Sequence, residues 1–86
     1  MAMNMKKTIR QYILGNLLFT EDESALQDGD SFLDEGIIDS TGVLEIILFI
    51  EETFGIKVSD DEMLPANLDS VNNLAAFINR KQAVAA

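Results

Sequence analysis

The chain contains no cysteine and no histidine. The first absence excludes a disulfide framework and any zinc site built on thiolates. Together the two remove the Ser-His and Cys-His nucleophile pairs and most transition-metal sites. Positive charge is scarce as well: six Lys and Arg stand against fifteen Asp and Glu, a formal net charge of −9. Such a surface repels nucleic acid and anionic lipid and favours partners with basic patches. Long apolar runs are also missing. The greasiest stretch, Ile46 to Ile50, is far too short to span a bilayer. The segment Met1 to Lys7 is followed by no long apolar stretch, so it does not read as a secretory signal. The expectation is a soluble, cytoplasmic protein.

What is present is a chain able to fold. Its 86 residues are 48% hydrophobic, enough for one domain over 1–86 with a single small core. An amphipathic period predicts a first helix over about 4–18, with Ile9, Tyr12, Ile13 and Leu17 on one face. Gly15 weakens that helix by roughly 1 kcal/mol relative to alanine. Residues 19–39 form a long acidic connection, and connections of that length are often functional. Leu26, Phe32, Leu33, Ile37 and Ile38 are spaced along it and are expected to dip into the core. Asp28-Gly29-Asp30 suggests a calcium loop, but the alternating acids and closing glutamate of an EF-hand are absent.

A second helix is predicted over 40–54. Val43, Ile47, Ile50 and Phe54 form its core stripe, with Ile46 beside it, and Gly55 ends it. Glu45 and Glu52 point away, while Leu44 and Leu48 lie off the stripe, so the helix is greasier than one buried face requires. Ser59-Asp60-Asp61-Glu62 reads as a capping box opening a short third helix over 59–64, stopped by Pro65. Asp69-Ser70 precedes a fourth over 70–81, and 82–86 is expected to fray. The fold class is therefore all-α, a small four-helix bundle with three longer helices and one short one.

Asp-Ser occurs twice, at 39–40 and 69–70, each time before a helix. Either pair can be simply an N-cap worth about 1 kcal/mol. Ser40 differs in its surroundings. Gly36-Ile37-Ile38 precede it, Gly42 follows, and the over-apolar helix comes next. A serine at that junction is expected to cap helix 2, with its hydroxyl at the surface and the positive end of the helix dipole behind it. That is a favourable place for a phosphodiester. It is a poor place for unaided catalysis, since nothing near in sequence can act as a base.

On these residues the chain resembles the acyl carrier proteins and the related peptidyl and aminoacyl carriers. Gly36-Ile37-Ile38-Asp39-Ser40 is similar to that family's attachment motif. Leu44 to Ile56 is similar to its recognition helix and exit, and Asn67-Leu68-Asp69-Ser70-Val71, with Leu74, Phe77 and Ile78, to its last loop and helix. The resemblance implies a carrier, not an enzyme, that holds an acyl or aminoacyl group as a thioester on a phosphopantetheine arm. Ser40 would carry the arm, attached by a phosphopantetheinyl transferase using coenzyme A. Asp39 would assist that transferase through its magnesium ion. Thr41, Leu44, Glu45, Leu48 and Glu52 fall where such proteins meet partner enzymes, among them adenylating ligases and downstream acyl-transferring enzymes with basic patches; a monomer is expected.

Two positions depart from the fatty-acid carriers: Thr41 stands where leucine is usual, and Gly42 where an acid is frequent. The Ser-x-Gly variant is similar to carriers of amino acids, such as the D-alanyl carriers. Fatty-acid or polyketide carriage remains an alternative within the family. A small acidic helical interaction module without a prosthetic group is the alternative outside it.

Overall fold

The computed structural model describes residues 5–85, and side chains through Ala83. Four α-helices follow one another: α1 Met5–Tyr12, α2 Ser40–Phe54, α3 Pro65–Leu68 and α4 Val71–Ala85, and no strand occurs among the described residues. The all-α bundle read from the sequence is the observed fold. Its core joins Ile9 and Ile13 to Ile46 and Ile50 of α2 and to Leu74 and Ile78 of α4, all essentially inaccessible to water. Burying such side chains stabilises the bundle by about 1.5–3 kcal/mol each before chain entropy is counted.

Several boundaries differ from the sequence expectation, each for a local reason. The first helix is not α-helical throughout. Beyond Tyr12 it widens into a π-helical turn over Ile13–Leu17, with Leu18 N–H donating to Ile13 C=O at 3.0 Å. The wider turn keeps both Ile13 and Leu14 buried. Asn4, the expected first residue, lies outside the described residues.

The short third helix lies further along the chain than the capping box suggests. Asp60–Glu62 makes only a 3₁₀ turn. Pro65 then opens α3 rather than stopping a helix, because a proline at the first helical position loses no hydrogen bond. Residues 82–85 are helical instead of frayed, and Gln82 Nε2 donates to Phe54 C=O at the end of α2; Ala86 lies outside the described residues.

The long connection is held in three places. The Arg10 guanidinium donates to Leu26 C=O (2.6 Å), to Glu23 C=O (2.7 Å) and to Asp28 Oδ1 (3.1 Å). Leu26, Phe32 and Ile38 are buried, as the spacing predicts, whereas Leu33 stands 47% exposed. Asp69 fastens the middle of the loop. Its carboxylate accepts from the Ser31 hydroxyl and from Leu33 N–H, and its backbone C=O accepts from Phe32 N–H. Phe32 C=O in turn accepts from Ile37 and Ile38 N–H, which brings the chain to the start of α2 in a fixed orientation.

Candidate functional site at the start of α2

Ser40 does not cap α2. Asp39 does: it is extended at φ −90° and ψ −178°, and its Oδ1 accepts from Gly42 N–H at 2.9 Å. Ser40 is thereby the first helical residue, exposed, with a hydroxyl that makes no hydrogen bond. The correction follows from competition for one donor. Ile38 is buried against the first turn, which fixes Asp39 just outside the helix, and the carboxylate takes the amide that a serine cap would have used.

Gly42 is required by the same packing. It is buried, and a Cβ at this position would collide with Cγ2 of Ile38. The glycine of the Ser-x-Gly sequence is thus explained within this chain, by the close approach of Ile38.

The exposed face of α2 forms a ridge between two depressions. Leu44 and Leu48 are 56% and 60% exposed, in accord with their position off the core stripe. Thr41, Glu45 and Glu52 are exposed beside them. On one side, Leu44 borders a small apolar groove of about 140 Å³ completed by Leu33, Val43, Met63 and Leu64. On the other, Thr41 and Glu45 border a second depression that includes Leu17 and Phe19. Tyr12 stacks on Phe49 (ring centroids 4.0 Å apart) and donates its hydroxyl to Glu45 C=O at 3.4 Å. Burial, and then the carboxylates of Glu45 and Glu52, hold its phenol above its ordinary pKa.

The structure therefore brings together all seven residues singled out in sequence: Asp39, Ser40, Thr41, Leu44, Glu45, Leu48 and Glu52 lie on the cap and outer face of one helix. Sequence reasoning missed Leu33, Met63 and Leu64, whose exposure depends on how the loop and α3 pack. It also missed Phe19. Phe32, Ile46 and Ile50 are fully buried in packed core, and the Phe49 ring is stacked against Tyr12. Among the described residues, no group of three or more carboxylates could hold a metal ion.

The geometry suits a covalently attached phosphodiester. The serine oxygen is exposed and unbonded, and the N–H groups of the first turn that Asp39 does not take lie at the positive end of α2. Comparison with known proteins agrees. The family described as the phosphopantetheine attachment site matches residues 7–78. The D-alanyl carrier protein of Streptococcus pyogenes serotype M5 (strain Manfredo) is 34% identical over 80 residues, which cover 93% of this chain and 98% of that protein. The serotype M1 protein gives the same figures. The solution NMR structure of a holo acyl carrier protein from Nitrosomonas europaea superposes with a TM-score of 0.74 at 26% identity, covering 94% of this chain and 99% of that one. The chain belongs to the phosphopantetheine-attachment family, and it is a carrier protein whose prosthetic group is a covalent phosphopantetheine.

Proposed function

We propose that Ser40 is the residue that carries the arm and that the chain serves as an aminoacyl carrier in a specialised biosynthetic pathway. The observation that carries the first part is the cap geometry. Asp39 occupies the capping position and releases the neighbouring hydroxyl, which is exposed at the first turn of α2. The 34% identity to D-alanyl carrier proteins and the Ser40-Thr41-Gly42 sequence support the second. When attached, the arm supplies a terminal thiol that holds the cargo as a thioester.

The chain's own residues then have three tasks. Asp39 fixes the first turn and presents a carboxylate edge to the phosphopantetheinyl transferase and its magnesium ion. Leu44 and Leu48 offer apolar contact to an adenylating aminoacyl ligase and to the enzymes that unload the arm. Thr41, Glu45 and Glu52 surround those leucines, and the acids steer basic partners toward them. A carrier must leave each enzyme after use, so such an interface is expected to be small and charge-rich. Tethering replaces a diffusive search by a high effective concentration. On this reading the protein is a carrier that performs no chemistry of its own, acts as a monomer and resides in the cytoplasm.

The test is intact-mass spectrometry after incubation with coenzyme A, magnesium and a broad-specificity phosphopantetheinyl transferase. Wild type should gain one arm and Ser40→Ala none. The arm-bearing protein should then accept an amino acid from an adenylating ligase of the D-alanyl type. Wild type that stays at its original mass would favour the reading of a helical interaction module. Loading by fatty acyl donors but not by amino acids would favour the fatty-acid alternative.

A further inference from the structure

Phe19 is the most exposed large apolar side chain among the described residues, 82% accessible to water. It is also the only described residue other than glycine with a positive φ, at 54°. An L-residue bearing an aromatic side chain is disfavoured there, because its Cβ crowds the neighbouring carbonyl. The fold thus holds a ring in water on a backbone that glycine would adopt more readily. The left-handed backbone closes the first helix, with Thr20 N–H donating to Leu14 C=O at 2.9 Å, but the exposed ring adds nothing to the core.

The position of the ring is informative. Phe19 and Leu17 form one wall of the depression whose other wall contains Asp39, Thr41 and Glu45, the residues on either side of Ser40 and one turn on. This depression lies across α2 from the Leu44 groove. The only charged residues of its lining are the acids Asp39 and Glu45, and the exposed Glu21, Asp22 and Glu23 follow Phe19 in the chain, Glu21 and Glu23 bordering a separate depression with Lys7 and Arg10. Hydrogen bonds from the Ser24 hydroxyl and N–H hold the Asp22 carboxyl below its ordinary pKa, so that charge persists in mildly acidic solution.

We infer that Phe19 is an anchor for the enzyme that attaches the arm, entering an apolar recess on that enzyme bordered by basic side chains. The inference rests on the reading of Ser40 as the attachment residue. The choice of partner follows from reach. Enzymes that act on the cargo meet the far end of a long flexible arm, so they can dock on the Leu44 and Leu48 side of α2 without closing on the serine oxygen. The attaching enzyme has no such spacer: it must bring its own reacting groups to the serine oxygen, and in doing so it covers the residues around Asp39 and Thr41. The ring lies at the edge of that footprint. Its exposure fits an aromatic anchor and the acids around it fit a basic border.

The experiment compares wild type, Phe19→Gly and Phe19→Tyr as substrates of the transferase, with the rate of mass gain followed at varied carrier concentration. For Phe19→Gly, KM should rise about tenfold, the scale of truncating an aromatic anchor, with kcat within about twofold. Its Tm should be unchanged or raised, since glycine accepts the left-handed backbone. Phe19→Tyr keeps the ring and should stay near the wild-type KM. Raising the salt concentration should increase the wild-type KM, because the acidic border is exposed and screened. An unchanged KM in Phe19→Gly would overturn the inference. A lowered Tm in that variant would also overturn it, by giving the ring a structural role. In either case Ser40 would still gain the arm, whereas wild type that gains no mass would remove the functional reading itself.

Discussion

The two Asp-Ser pairs begin the same way in sequence and end in opposite arrangements. At 69–70 the serine is the cap. Ser70 is 5% exposed, and its hydroxyl oxygen accepts from Asn73 N–H at 3.0 Å. The aspartate before it turns away from α4 and fastens the long loop through Ser31 and Leu33. At 39–40 the aspartate is the cap and the serine is left over. A shift of one residue in where the helix begins thus decides which hydroxyl is consumed by folding and which remains available for chemistry. The two pairs also cooperate: Asp69 holds the loop whose next buried residue, Ile38, sets the register at Asp39.

Exchanging the roles of the two serines is the sharpest way to break this comparison. Ser40→Ala should abolish arm attachment completely while changing stability by less than about 0.5 kcal/mol, as for an exposed side chain without partners. Ser70→Ala should do the reverse. It should keep the arm and lose about 1–2 kcal/mol, since a buried cap is removed and Asn73 N–H loses its partner. Mass spectrometry and urea unfolding on the same samples read both quantities.

Gly42→Ala probes what fixes the register. Its added methyl must displace Ile38, so a loss of about 1–3 kcal/mol is expected, as for overpacking elsewhere. A variant as stable as wild type would mean that Ile38 does not press on the first turn.

The smallest effect concerns the Asp60–Glu62 turn, which carries an acid unlike those around Ser40. The Lys81 ammonium donates to Glu62 at 2.8 Å, and Ser59 N–H donates to it at 3.0 Å. Lys81 first, and then Ser59, hold its carboxyl at about 2, against an ordinary value of 4.5. The folded chain therefore binds this proton less readily than the unfolded chain. The resulting stability is fully present above pH 4.5 and disappears as pH falls through about 2. Glu62→Gln should flatten the acid limb of a Tm-against-pH curve and leave arm attachment unchanged. The pair is partly open to solvent, so the change should be small.

Much of the fold is legible in the sequence because its signals are periodic. The core stripe of α2, the surplus of Leu44 and Leu48, and the buried loop residues Leu26, Phe32 and Ile38 all follow from spacing and recur in the structure. What is not legible depends on choices that local chemistry leaves open. Aspartate and serine cap equally well, so neither pair declares which member will do so; the decision at 39–40 comes from Ile38 packing on Gly42. Pro65 can end one helix or begin the next, and in the fold it begins α3, whose Leu68 is buried and whose Asn67 side chain donates to Glu62 C=O. The exposure of Phe19 has a sequence trace, a lone aromatic beside Glu21, Asp22 and Glu23. Its left-handed backbone has none, because nothing in the residue type announces it.

Peptide mapping of the arm-bearing protein tests the central claim most directly. Trypsin cuts after Arg10, Lys57 and Arg80, so the two Asp-Ser pairs fall on different peptides, 11–57 and 58–80. The arm is predicted on 11–57, with fragmentation assigning it to Ser40. An arm on 58–80, or on Ser24 or Ser31 within the first peptide, would contradict the proposal that the cap at Asp39 selects the serine that is modified.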